Sequence, residues 1–171
     1  MKVVSERSGM EQKFYDLSLK VVSELSLVLY DMEWGAGSGD LRLFIMDPAT
    51  KTATLEDCIR VDRAFTPYFE TEKWMPDDVT LEVSSPGLFR ELKNLSHFES
   101  VIGEDVAIVL NKAISETQSA DFPKSQRNNL KLKVKLLETT NENIKIEIKD
   151  VKIEIPFDQI KRANLETNLT K

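Results

Sequence analysis

The sequence predicts an α+β protein of two domains: an N-terminal α/β sandwich over residues 1–92 and a small C-terminal β-barrel over residues 93–171. Three observations predict it. Apolar residues recur at three- and four-residue steps twice in the first half, as one-sided helices require. Beyond about Gly103 they alternate with polar residues instead, the period of a strand. Charge is also divided unevenly, since residues 1–93 carry 11 basic and 17 acidic side chains and residues 94–171 carry twelve of each, within a net charge of −6.

The first element is a helix over about Met10 to Leu27, with Phe14, Leu17, Val21, Val22 and Leu25 on one face. A strand follows, with Val28, Tyr30, Met32 and Trp34 facing one way and Leu29, Asp31 and Glu33 the other. Gly35-Ala36-Gly37-Ser38-Gly39-Asp40 reads as a flexible hairpin tip before a second strand, Leu41 to Met46. A second helix begins at Thr54, a suitable N-cap, with Glu56 and Asp57 placing negative charge in its first turn. Its buried stripe is Leu55, Cys58, Ile59, Val61, Phe65 and Tyr68, and Pro67 is expected to end it early. A third strand, Val79 to Val83, runs into the turn Ser84-Ser85-Pro86-Gly87. The order is helix-strand-strand-helix-strand, and two helices should cover one face of a small sheet.

The second half opens on a short helix from Ser96 to Ile102, stopped by Gly103. Four alternating runs follow, at Val106 to Leu110, Leu130 to Leu136, Ile144 to Ile148 and Val151 to Ile155. The phase shifts by one across Lys149-Asp150, as a tight two-residue turn would require. Four short strands joined by turns suggest a small barrel of the SH3/Sm-like kind.

Composition narrows the functional classes. No apolar run approaches the ~20 residues that a membrane span needs, and no secretory signal opens the chain. The single cysteine excludes an internal disulfide framework and suits a reducing compartment, so a cytoplasmic protein is expected. With one cysteine and one histidine no zinc site can be assembled, and no metal or cofactor is expected. The glycine-rich loop joins two strands and lacks a following Gly-Lys-Ser/Thr, so it is not a phosphate loop. Ser84 or Ser85 with His97 as base would make a hydrolase, but no nucleophile elbow surrounds the serines, and an enzyme is not expected. An acidic first half is a poor general phosphate binder and would suit a basic protein partner or simply solubility.

The richest chemical feature is the basic run Lys124, Arg127, Lys131, Lys133 and Lys135, with no acidic residue from Pro123 to Leu137. Alternation sends Lys131, Lys133 and Lys135 to one face, where they could meet RNA backbone. No aromatic residue interleaves with them after Phe122, so a base-stacking platform is missing. The same pattern also suits an edge strand guarded by lysine.

The run Leu81-Glu82-Val83-Ser84-Ser85-Pro86-Gly87-Leu88 with Arg90 closely resembles the signature of the RimP ribosome maturation factors. Weaker similarities lie in the expected order: Leu55 to Cys58, His97-Phe98 with Gly103 to Val106, and Ile155 to Leu165. Phe89, Arg90, Glu91 and Leu92 stand where the family usually has Asp, Arg, Pro and Leu, and the segment from Ala113 to Asn129 is longer than usual. The resemblance implies an α/β domain followed by a β-barrel, no catalytic site, and binding to the free small ribosomal subunit during late assembly. A ribosomal protein near the decoding centre, and rRNA, are the implied contacts, with the protein acting as a monomer and no membrane involved. By resemblance, Ser84 to Arg90 is one candidate surface, and Lys161, Arg162 and Asn164 on the barrel are another. Pro86 and Gly87 set the turn, and the planar fork of Arg90 suits phosphate or carboxylate, or an acid of the other domain. A general RNA-binding or translation-associated adaptor fits the same residues.

Overall fold

The computed structural model describes Met1, residues 6–114 and residues 120–166. They form two compact units, one spanning Glu6–Gly87 and the other running from Leu88 onward together with Met1.

The first unit contains α1 (Gly9–Glu24), β1 (Val28–Gly35), β2 (Asp40–Met46), α2 (Leu55–Thr71) and β3 (Thr80–Ser84). Its sheet has the order β1-β2-β3, antiparallel between β1 and β2 and parallel between β2 and β3. Leu41, Leu43 and Ile45 of β2 are fully buried, in one cluster with Phe14, Val21 and Val22 of α1 and Val61 and Phe65 of α2. Both helices therefore cover one face of the sheet. Burying each such side chain stabilises by about 1.5–3 kcal/mol.

Four local expectations are corrected. α1 ends at Glu24 rather than near Leu27, because Ser26 takes a left-handed conformation (φ 61°) without a glycine to signal it. The Leu27 and Ser26 amides donate to the Val22 and Ser23 carbonyls, satisfying the helix end. In β1 the register slips between Leu29 and Asp31, and the bulge at Tyr30 breaks the expected alternation. Tyr30, Asp31 and Met32 are buried in succession, while Val28 is exposed. Leu55, assigned to the buried stripe, is 77% exposed at the first position of α2. Pro67 lies inside α2 instead of ending it. Proline and Arg63, whose carbonyl loses its partner, both face solvent, so water can satisfy the group. Beyond the proline, Tyr68 and Phe69 pack against Phe65, with ring centroids 6.2 and 5.5 Å away, which offsets the interruption.

The second unit contains α3 (Leu95–Glu99), β4 (Asp105–Leu110), β5 (Lys131–Thr139), β6 (Asn143–Ile148), β7 (Val151–Pro156) and β8 (Ile160–Leu165). These five strands, all antiparallel, follow the order β7-β6-β5-β4-β8. Two expectations change here. The strands number five, because Ile160–Leu165 forms β8, and among the described residues no ladder joins β7 to β8 to close a barrel. A 3₁₀ turn, Phe157–Gln159, connects them instead. The strands still surround one core, to which β4 gives Val106, Ile108 and Leu110, β5 gives Leu132, Val134 and Leu136, and β6 gives Ile144, Ile146 and Ile148.

The turn between β6 and β7 is the two-residue one expected. Lys149 and Asp150 both have positive φ (48° and 65°), the requirement of a type I′ hairpin whose twist matches its strands. The division between units falls after Gly87, five residues before the boundary expected from sequence. Leu92 accounts for the difference: it is fully buried in the second core, and its amide donates to the Ala163 carbonyl at 2.9 Å.

Candidate functional site

Two surfaces gather the residues singled out from sequence. The first is the turn leaving β3. Ser84 closes that strand beside Phe44 of β2, and Ser85 and Pro86 are half-buried. Gly87 has φ 78°, the left-handed backbone that favours glycine, so its conformational freedom is used. Leu88 and Phe89 follow with 55% and 49% of their surfaces exposed.

Arg90 departs from expectation. Sequence makes it the side chain best suited to meet a partner, yet it is only 8% exposed. Its stretch is drawn into the second unit by backbone pairing with β8. The Leu165 amide donates to the Arg90 carbonyl, and Glu91 forms a bridge with Asn164. Asn164 also donates from Nδ2 to the Phe89 carbonyl at 3.0 Å, so its amide holds the segment in place.

The second surface is the outer face of the five-stranded sheet. Lys131, Lys133 and Lys135 alternate with the buried Leu132, Val134 and Leu136, and all three lysines are exposed. Their strand lies between β4 and β6, but its ladder to β6 starts at Lys135, so Lys135 is internal while Lys131 and Lys133 are laddered to β4 alone. The register sets Lys131 beside Val109 and Val109 beside Arg162 of β8, while Lys133, Ala107 and Asn164 form the next row. The structure thus brings together two groups of residues from strands far apart in the chain. Lys161, at the register shift of β8, is exposed beside them.

Carboxylates neutralise much of this stripe. The Lys133 ammonium meets Glu166 at 3.1 Å. Lys135 stands opposite Asp105 on one side and Glu147 on the other. On the neighbouring strands Lys145 faces Glu154 and Glu147 faces Lys152. Cross-strand pairs of opposite charge are modestly stabilising, and they cancel the long-range field. Arg127 is committed to its own loop, donating to the Phe122 and Ala120 carbonyls. Residues 115–119 of the long 113–129 segment lie outside the described residues.

The remaining candidates have structural roles. His97 is 4% exposed and accepts the Lys93 amide at Nδ1 over 3.1 Å, so its ring organises the start of α3. Cys58 is half-buried against the first core, and burial, reinforced by Asp57, raises its thiol pKa above the ordinary value. Asp57 completes a capping box: its carboxylate accepts the Thr54 amide, and Thr54 Oγ1 accepts the Asp57 amide. The hydroxyl and amide of Thr54 hold the Asp57 carboxyl below its usual pKa. Gly39 admits no side chain, since a Cβ would sit 2.8 Å from the Asp78 carbonyl oxygen, which explains one glycine of the hairpin tip. Among the described residues no cluster of His, Cys, Asp or Glu has the geometry to hold a metal, and no helix is long and apolar enough to cross a membrane.

One feature escapes sequence reasoning. A shallow cavity of about 380 Å³ lies between α1 and the end of α2, lined by Leu17, Tyr68 and Trp74. Lys13 and Lys20 stand over the Trp74 and Tyr68 rings, each at 5.5 Å. Trp74 follows α2 in a loop without periodicity, so no sequence pattern could join it to α1.

The molecule is a two-unit α+β protein, with a helix-covered three-stranded sheet followed in the chain, after a Ser-Ser-Pro-Gly turn, by a small β-rich unit. Residues 18–89, from within α1 to just past that turn, match the family model described as the RimP N-terminal domain. That stretch of the chain is similar to the N-terminal domain of the RimP family of ribosome maturation factors.

Proposed function

We propose that this protein is a cytoplasmic maturation factor for the small ribosomal subunit that binds the free subunit and acts without catalysis or cofactor. The observation that carries the reading is the family match over residues 18–89, which ends on the segment Leu81 to Leu88 that bears the family signature. Binding alone can do the work. A factor that holds one conformer of an immature subunit shifts its population by the difference in affinity between conformers. The first unit, with 8 basic and 16 acidic residues in 6–87, suits a basic ribosomal protein by charge. The outer face of the five-stranded sheet, with Lys131, Lys161 and Arg162, suits rRNA or a ribosomal protein near the decoding centre. Ser84, Ser85, Pro86 and Gly87 form the second contact surface in this reading, and the factor acts as a monomer.

Sedimentation with separated small subunits, large subunits and whole ribosomes at two salt concentrations tests it. Co-migration with free small subunits in preference to the other particles is expected. Equal binding to every particle together with tight, steeply salt-dependent binding to naked RNA would favour a general RNA-binding adaptor instead.

A further inference from the structure

The cations of the second unit are not equivalent once their neighbours are known. Lys133 and Lys135 have carboxylates against them, as do Lys145 and Lys152. Lys131, Lys161 and Arg162 are exposed, and among the described residues no carboxylate is paired with them. A fourth cation joins them. β4 ends at Leu110 beside Ile160, and the Asn111 amide continues the pairing by donating to the Gln159 carbonyl at 2.8 Å. Gln159 Nε2, from a buried side chain, then donates to the Lys112 carbonyl at 3.2 Å. Lys112 is thereby held next to the start of β8, with its side chain exposed. Within Pro156 to Leu165 the single acidic residue is Asp158, against Lys161 and Arg162.

We propose that the corner formed by Lys112, Lys131, Lys161 and Arg162 binds the phosphate backbone of RNA, and that Lys133 and Lys135 contribute little to that binding. The inference rests on the ribosomal reading above for the source of the RNA and names the partner of that sheet face. Its physical basis is that phosphate affinity comes from cations that exchange counterions for phosphates. A lysine already neutralised by a carboxylate has less to exchange. Val109, between Lys131 and Arg162, is a small neighbour that leaves the surface open, and neighbouring strands about 4.8 Å apart put the two cations one strand to either side of it. No aromatic residue accompanies the four, which favours backbone contact without base stacking. Lys161 and Arg162 lie on an edge strand and could serve only to prevent edge pairing. Lys131 lies on β5 ahead of its ladder to β6, which starts at Lys135, so the same alternative applies to it and the self-association arm of the test separates the two roles.

The test uses the full chain and a fluorescent single-stranded RNA of mixed sequence, with affinity measured across a salt series. Three proteins are compared: wild type, a Lys112→Ala, Lys131→Ala, Lys161→Ala, Arg162→Ala variant, and a Lys133→Ala, Lys135→Ala variant. All substituted positions are exposed, and far-UV circular dichroism confirms that each protein is folded. The fourfold variant should bind RNA at least tenfold more weakly, with the slope of log affinity against log salt reduced by about 3, at ~0.7 for each phosphate no longer neutralised. The double variant should keep the wild-type slope to within about 0.5. Equal losses in both variants, or none in either, would overturn the proposal, as would a wild-type protein that does not bind the RNA. Self-association of the fourfold variant with RNA affinity intact would assign the corner to edge protection and also overturn it. Parallel sedimentation separates the two readings. Weakened RNA binding by the fourfold variant, alongside a wild type that prefers no ribosomal particle, would uphold the corner and reject the assembly role. RNA binding unchanged while small-subunit binding disappears would make the corner a protein contact and overturn the present inference.

Discussion

The two units differ in how openly their sequences declare their structures. In the second, alternation is nearly unbroken: β4, β6 and β5 as far as Leu136 each bury every other residue, and the Lys149-Asp150 turn explains the phase shift between β6 and β7. In the first, period-based reading fails at the ends of elements. A bulge inverts half of β1, a serine in left-handed conformation ends α1, and a proline is accommodated within α2. A sheet residue inside a regular ladder is fixed by its two cross-strand neighbours, whereas helix ends and bulges answer to backbone groups that side-chain periodicity does not encode. The units also differ in charge. The first carries a net negative charge, and the second is balanced overall, with Lys112, Lys131, Lys161 and Arg162 near the start of β8.

Core substitutions provide the largest test of this contrast. Phe65→Ala removes a fully buried ring from the first core and should cost about 3–5 kcal/mol, and Ile146→Ala, fully buried in the second, about 2–5 kcal/mol. Chemical denaturation followed by circular dichroism measures both. Trp34 and Trp74, the only tryptophans, lie in the first unit and report on it through their emission. A loss below about 1 kcal/mol in either variant would mean that the site is not packed as described.

Gly87→Ala sharpens the account of the turn between the units. A Cβ there would meet nothing within 4 Å, so the expected cost of ~1–2 kcal/mol comes from the left-handed backbone alone. No measurable cost would show that the backbone adopts another conformation.

Thr54→Ala removes the capping box and should cost about 1 kcal/mol. The folded-state pKa of Asp57 is lowered, chiefly by the Thr54 hydroxyl, so its contribution is present above the usual carboxylate value and fades as pH falls through the folded value. The difference between Thr54→Ala and wild type should therefore be largest near neutral pH and shrink in acid. A difference that grew on acidification would contradict the assigned hydrogen bonds.

The smallest expected effect is a gain. Asp150→Gly relieves a non-glycine residue of its positive φ and should stabilise the β6–β7 hairpin by about 0.5 kcal/mol, as measured by the same denaturation series.

Much of the fold is legible in the sequence: element order, the helix-covered sheet, the Gly-rich hairpin and the tight β6–β7 turn. β8 escapes because its buried residues, Ile160, Ala163 and Leu165, are spaced by three and then two, and the register shift that produces this spacing is invisible without β4. The candidate surfaces are legible as residues but not as a site. Lys131 and Arg162 belong to different segments and meet only through Val109, while the carboxylates that quieten Lys133 and Lys135 come from β4, β6 and the residue after β8. Arg90 reads as a partner-facing fork in the sequence because the backbone pairing that buries its stretch depends on Asn164 and Leu165, far along the chain.

The most direct test of the central claim, that this protein matures the small subunit, is its depletion in growing cells followed by profiling of ribosomal particles. The account predicts that free small subunits with immature rRNA accumulate, and that the wild-type chain reverses the defect. Unchanged profiles, with normal small-subunit rRNA despite complete depletion, would contradict it.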